Sequence, residues 1–221
     1  MIPYAALAAE LAPSGFVLRG GFHPGPDDGV PVLMDGSAAV TLILVGSVGP
    51  ALWQLVRGSS EPDPIDRYTR RAVTSLAAHF EAEALFPFGG PPWHPFQRWA
   101  IRAEALERSP LGVLIHPEYG LWHAYRAALL FREAIELPEP APGAGPCSRC
   151  AARPCLRTCP AGAVSERGYD VAACRAHLGS HPAASCWQGC IARRACPVGA
   201  GWAHAPEQAA HHMRHFARPQ R

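Results

Sequence analysis

The first 146 residues contain no cysteine, so any thiolate chemistry is confined to the last third of this 221-residue chain. Long unbroken apolar runs are also lacking. The longest, Ala38 to Val45 and on through Val56, is cut by Gly46, Gly49 and Pro50, too often to span a membrane. Charge of one sign is not in surplus. The net charge is +2 and no basic stripe follows any helix, which argues against a nucleic-acid partner. The N-terminus has no basic leader and carries Glu10 where a secretion signal would be apolar, so it reads as a short amphipathic helix. Together these absences predict a cytoplasmic protein with no membrane and no nucleic-acid partner. With 48% apolar residues, there is material for one sizeable core plus an appendage.

What is present is a set of eight cysteines. The run Cys147-x2-Cys150-x4-Cys155-x3-Cys159-Pro160 is followed by Cys174, then by Cys186, Cys190 and Cys196-Pro197. Bacterial ferredoxins use C-x2-C-x2-C-x3-C-P, in which the fourth cysteine ligates the other cluster. Here the middle gap is longer by two residues, and both ends of the motif are intact. Three cysteines close together in a loop can cap three irons of a cubane, while a Cys-Pro at a helix start reaches the next one. The first [4Fe-4S] cluster therefore takes Cys147, Cys150, Cys155 and the distant Cys196. The second takes Cys159, Cys174, Cys186 and Cys190, and no cysteine is left over. Arg149, Arg153, Arg157, Arg193 and Arg194 lie between the ligands, either as counter-charges that raise the reduction potential or as a solvated face.

Other readings of the cysteines stay open at this point. Disulfides need an oxidising compartment. Two structural zinc sites would also use sets of four, although zinc ribbons pair C-x2-C with C-x2-C and not with crossed Cys-Pro endings.

The chain divides in the Pro/Gly-rich segment 137–146, which reads as an extended linker between residues 1–138 and 139–221. Before it, helix and strand patterns alternate. Residues 38–45 read as a buried strand, and 49–56 open a helix with proline in its first turn. Residues 63 to about 83 form a longer helix with an Asp cap, Pro64 at its first position and Ile65, Tyr68, Ala72, Leu76 and Phe80 on one face. Residues 85–88 are a short extended piece and 95–106 a helix. Residues 111–115 and 122–131 are expected to pair through a turn at His116-Pro-Glu-Tyr-Gly120. The tail, 206–217, is a helix with Ala209, Ala210, Met213 and Phe216 on one side.

The last third resembles the ferredoxin module of epoxyqueuosine reductases and reductive dehalogenases, including the isolated cysteine between the runs, here Cys174. The segment from Ser109 to Arg126 is similar instead to the cobalamin-processing proteins of the cblC type, which carry an Ile-His-Pro-x-aromatic-Gly-x-Trp-x-Ala-x-Arg stretch. Leu42 to Trp53 and Asp63 to Asp66 fit the same family. These resemblances imply an α+β fold: a nitroreductase-like (flavin-reductase-like) core that binds cobalamin, then a small two-cluster ferredoxin-like module and a C-terminal helix. They also imply that cobalamin is held with its tail displaced. The chain lacks Asp-x-His-x-x-Gly, the signature of enzymes that supply histidine to cobalt from below.

By the same resemblance, the turn carrying Gly46, Ser47 and Gly49, the loop Phe88-Gly89-Gly90, and His116, Tyr119, Trp122 and Arg126 would line the cobalamin pocket. Each has an ordinary reading beside it. His116 before proline suits a turn cap, and Trp122 and Tyr125 suit core packing. Arg126 suits an ion pair with Asp63, Asp66 or Glu118. His211 and His215 suit a solvated helix face, and Trp202 and His204 suit packing over the first cluster.

The function so implied is reduction of cobalamin, with loss of its upper ligand, by electrons that an external flavodoxin, ferredoxin or flavin reductase delivers through the clusters. A ferredoxin-type carrier that binds no corrin is the alternative. A flavin in the core finds no phosphate-cradling Gly-rich loop. An epoxyqueuosine-reductase-like enzyme is disfavoured by the short chain and by the lack of a Gly-Arg-Asp-Tyr-His-like segment. Homodimerisation is expected from the nitroreductase-like core.

Overall fold

The computed structural model describes residues 3–140 and 145–218. In chain order the elements are α1 (Tyr4–Leu11), β1 (Val17–Phe22), β2 (Thr41–Val48), α2 (Ala51–Val56), α3 (Pro64–His79), β3 (Glu83–Leu85) and α4 (Phe96–Glu104). Then come β4 (Glu107–Arg108), β5 (Leu114–Ile115), β6 (His123–Phe131), α5 (Cys155–Thr158), β7 (Val164–Ser165), β8 (Gly168–Tyr169), α6 (Val171–Ser180), α7 (Ile191–Arg194) and α8 (Pro206–Ala217). This is a mixed α/β protein with antiparallel sheets. Among the described residues no helix is long and apolar enough to cross a membrane.

The chain forms two compact units, and their division differs from the sequence boundary. Residues 107–123 leave the first unit and pack with 145–218, while 124–140 return to the first. The reason is apolar: Leu111, Ile115 and Leu121 share one buried cluster with Val164 and Ala192. Of the expected linker, residues 141–144 lie outside the described residues.

The first unit is built on a four-stranded sheet in the order β1-β2-β6-β3, with β1 antiparallel to β2 and β3 antiparallel to β6. Leu42 to Val45 of β2 and Ala127 to Phe131 of β6 are almost wholly inaccessible, as central strands covered on both faces must be. Helix α1 buries Leu7 and Leu11, and α3 buries Ile65, Val73, Leu76 and Ala77 against the same core. Full burial of each large side chain contributes about 1.5–3 kcal/mol. A polar knot sits within this unit. Arg19, 1% exposed, pairs with Glu104 at 2.9 Å and lies over the Tyr125 ring, and the Tyr125 hydroxyl donates to the same carboxylate. Tyr125 is thus tied into packing, the ordinary one of its two readings.

Several expectations are corrected. Asp63 precedes α3 but adopts a left-handed conformation (φ 51°) and makes no side-chain cap; Pro64 alone carries the start signal. Helix α3 stops at His79, and the strand that follows is 83–85, not 85–88. The stretch 111–115 does not pair with β6. Instead β5 pairs with β4, because the chain turns at Ser109, whose N–H donates to the Val113 carbonyl. Strand β1 has no counterpart in the sequence reading, since its Arg-Gly-Gly centre looks nothing like a strand.

The second unit holds all eight cysteines on short helices and two-residue strands. Asp170 caps α6 by accepting the Ala173 N–H at 2.9 Å, which fixes the helix that presents Cys174. Helix α8 buries Met213 against Leu178 and Cys186, on the side expected from the sequence.

Candidate functional site

The eight cysteines are all free thiols, and they sort into two sets. Cys147, Cys150, Cys155 and Cys196 line one cavity of about 450 Å³. The thiols acting on Cys147 are Cys196, Cys155 and Cys150; those acting on Cys186 are Cys190, Cys159 and Cys174. The structure thus brings together the same two quartets that the motif spacing pairs, including the long reach from Cys155 to Cys196. Desolvation pushes the Cys147 thiol up to about 11, with the Glu107 charge the next cause. Cys155, Cys186, Cys190 and Cys196 are raised by burial too. These thiols hold their protons until positive charge arrives, and a metal inverts that preference. Among the described residues no three His, Cys, Asp or Glu side chains converge tightly enough to hold a single ion. A cubane does not ask for that, because its four thiolates bind four different irons.

The first quartet is anchored from a distance in sequence. The Glu107 carboxylate accepts the Cys147 N–H at 2.5 Å, the Ser148 N–H at 3.3 Å and the Ser148 hydroxyl at 2.7 Å. Arg153 donates to both oxygens of Glu166 at 2.6 and 2.5 Å, and both side chains are about half exposed. No spacing rule links Glu107 to a cysteine forty residues on, so sequence reasoning missed it.

Beside the second quartet, Tyr169 hydrogen-bonds Cys174. Arg193, one turn after Cys190, is half-buried; its guanidinium donates to the Leu121 carbonyl and lies 4.7 Å from the Trp122 ring. Burial lowers its affinity for a proton and the Cys190 charge partly restores it. Among the described residues no carboxylate pairs with it. The other linking arginines divide: Arg157 turns to the Ala152 carbonyl, and Arg149 and Arg194 are exposed.

The residues expected around cobalamin fall into both units. In the first, Gly46 and Ser47 are not in a turn but in β2. Glycine at 46 answers a close approach within the protein, since a Cβ would come within 3 Å of the Ala124 carbonyl oxygen and the Arg19 side chain. Only Gly49 (φ 55°) turns the chain there. In the Phe88-Gly89-Gly90 loop, the Phe88 ring carries two guanidinium groups, Arg70 at 5.3 Å and Arg126 at 5.5 Å. Arg126 pairs with Asp66, one of its three candidate partners, yet its buried Nε–H has no acceptor.

In the second unit, His116 caps its own turn. Its Nδ1 accepts the Glu118 and Tyr119 N–H groups, both at 3.1 Å. Its ring stacks on Tyr119 (4.2 Å, 10° between planes), and Tyr119 meets Trp202 edge to face. Trp122 sits just before β6, against Arg193 and His204, with its Nε1–H lacking an acceptor. The glycine of this motif has a steric cause. Gly120 (φ 57°) and Gly199 (φ 68°) lie where two backbones touch, and a Cβ on Gly120 would come closer than 3 Å to the Val198 carbonyl. His204, half-buried and facing His212, is pushed down to about 2 by desolvation and then by the Arg193 cation. His211 and His215 lie 4.2 Å apart on α8 with no third ligand among the described residues.

No protein-family description and no curated protein matches the sequence. Solved structures do resemble the fold. An epoxyqueuosine reductase bound to an epoxyqueuosine-modified tRNA-Tyr stem loop superposes with a TM-score of 0.57 at 15% identity, over 91% of this chain and 66% of that one. The epoxyqueuosine reductase of Streptococcus thermophilus gives 0.55 at 16%, over 93% and 69%. The C. elegans B12-trafficking protein CblC, a homologue of human MMACHC, gives 0.53 at 16%, over 97% and 90%. The chain spans about two thirds of the reductases' length and most of CblC's. Two of the three families named from sequence motifs, the epoxyqueuosine reductases and the cblC type, therefore share this fold. The expectation of no nucleic-acid partner gains no support, because one of these reductases holds a tRNA stem loop.

Proposed function

We propose that this protein is a cytoplasmic iron–sulfur oxidoreductase that binds cobalamin with its tail displaced and reduces it, releasing the upper ligand. The observation that carries the reading is the sorting of eight free thiols into two quartets, on a fold shared with a B12-trafficking protein. The donor set fits: each quartet supplies the four thiolates that a [4Fe-4S] cluster takes. Clusters held there would carry single electrons, at potentials that proteins tune between about −700 and +450 mV. The electrons would come from outside, from a flavodoxin, ferredoxin or flavin reductase.

The chain's own residues would do the rest. The buried Nε–H of Arg126 and the buried Nε1–H of Trp122 both await acceptors, and cobalamin is rich in amide and phosphate oxygens. Within the first unit Phe88, braced by Arg70 and Arg126, offers an apolar face beside the Arg126 guanidinium. His116 and Tyr119 would act by holding the turn before Trp122 rather than by touching cobalt.

The test is an absorption titration of anaerobically purified protein against aquocobalamin and cyanocobalamin, with iron and sulfide quantified first. The reading expects about eight irons per chain, a shift to the tail-displaced cobalamin spectrum near one equivalent, and reduced cobalt on adding dithionite. Eight irons with an unmoved cobalamin spectrum would make the protein a ferredoxin-type carrier instead. Zinc in place of iron would remove both readings.

A further inference from the structure

The two quartets sit in opposite electrostatic settings. At the first, a carboxylate arrives: Glu107 occupies the N–H groups of Cys147 and Ser148. It acts twice, adding a negative charge beside the cluster site and consuming amide donors that would otherwise be free for sulfur. Of the three arginines that line that cavity, Arg108, Arg153 and Arg167, Arg153 is spent on Glu166 in a half-exposed pair, where water screens what is left of it. At the second quartet the signs reverse. Arg193 is a half-buried guanidinium with a single carbonyl acceptor, one aromatic face and no carboxylate among the described residues. Desolvating a cation in this way is costly unless a negative charge answers it, and the charge that does so here is Cys190. Tyr169 adds a hydrogen bond to Cys174 of the same set. Positive charge and hydrogen bonds to sulfur raise a cluster's potential, and negative charge lowers it.

We infer that Glu107 on one side, and Arg193 with Tyr169 on the other, hold the two clusters at different potentials, with the Cys159/Cys174/Cys186/Cys190 cluster the higher. The inference rests on the proposal that both quartets carry clusters. It assigns an order to them: an electron delivered to the protein comes to rest first on the second cluster. The residues concerned are positioning residues, because none of them is a ligand.

The experiment is an anaerobic redox titration of the full chain followed by electron paramagnetic resonance, with Glu107→Gln, Arg193→Gln and Tyr169→Phe alongside. The wild type should show two one-electron waves. Glu107→Gln should raise only the lower wave, by about tenfold in the reduction equilibrium, or about 59 mV. Arg193→Gln should lower only the upper wave by at least as much, and Tyr169→Phe should lower it by less. All three variants narrow the gap. Coincident waves in the wild type, or an upper wave that answers to Glu107→Gln, would overturn the assignment. Should Arg193→Gln fail to assemble its second cluster, Tyr169→Phe and the charge-conserving Arg193→Lys decide instead. The first must lower the upper wave and the second must leave it nearly in place, and the opposite pattern refutes the role. Iron analysis comes before any titration, so a failure of the cluster reading itself is seen separately, and it takes this inference with it.

Discussion

Replacing Gly120 by alanine should be among the most damaging single-methyl changes in the second unit. The residue has φ 57°, a left-handed conformation that costs an L side chain about 1–2 kcal/mol. The added Cβ would also come closer than 3 Å to the Val198 carbonyl oxygen and lie 3.2 Å from the Gly199 Cα. Backbone cannot rotate away as a side chain can, and overpacking of this kind costs about 1–3 kcal/mol more. The sum is about 2–5 kcal/mol. Gly162 supplies the control, because it shares the conformation (φ 60°) but has nothing within 4 Å of its would-be Cβ. Gly162→Ala should therefore cost only the conformational part, about 1–2 kcal/mol. The assay is anaerobic urea denaturation of both variants, read by tryptophan fluorescence, together with the rate of iron loss to a chelator. Gly120→Ala should unfold at lower urea and release iron faster than Gly162→Ala. If the two variants match, the backbone contact between residues 119–120 and 198–199 is not a structural constraint, and the reason given for that glycine is wrong.

Three further outcomes are expected. His204 stays neutral when folded (down to about 2) but takes a proton near 6.5 when unfolded, so its contribution is present above pH 6.5 and is lost as pH falls towards 2. The loss is about 1.4 kcal/mol per pH unit, about 2 kcal/mol at pH 5, and denaturation across pH should show that slope in the wild type and not in His204→Phe. Tyr4, whose hydroxyl accepts the Gly20 N–H at 3.1 Å, is pushed up to about 12 by burial. Its stabilisation is whole below pH 10 and disappears as pH rises through 12, and the tyrosinate absorbance lost in Tyr4→Phe should be a late-titrating step. Asp66→Asn should destabilise the first unit by about 1–3 kcal/mol, discounted for the 40% exposure of Asp66, while leaving iron content unchanged.

The parts of this protein that could be read from sequence are those governed by short-range rules. Cysteine spacing is such a rule, and it leads to the quartets that the structure assembles. So is the continuous apolar run of β2, displaced by three residues from its expected position, and so is the amphipathic face of α8. Non-local features could not be read in this way. Glu107 carries no mark that it will accept the Cys147 N–H, and β1 is hidden because its glycines serve a bulged edge beside α4 and β2. The His-Pro-x-aromatic-Gly-x-Trp element was legible as a motif, but its immediate cause was not. His116 caps a turn, and Gly120 lets two backbones meet. The placement of residues 107–123 depended on which apolar partners Leu111, Ile115 and Leu121 would find, and periodicity cannot choose between partners.

That placement bears on how such a cysteine-rich unit can be inherited or transplanted. A gene fragment starting after residue 144 encodes every thiol, yet it omits three of the five side chains at the centre of their apolar cluster, along with the Glu107 anchor. The eight-cysteine tail is therefore no free-standing cassette. Swapping it between relatives, or fusing it to another scaffold, requires the 107–123 loop to travel with it, two insertions in place of one. Recombination at the proline-rich joint alone would separate the thiols from the floor they rest on.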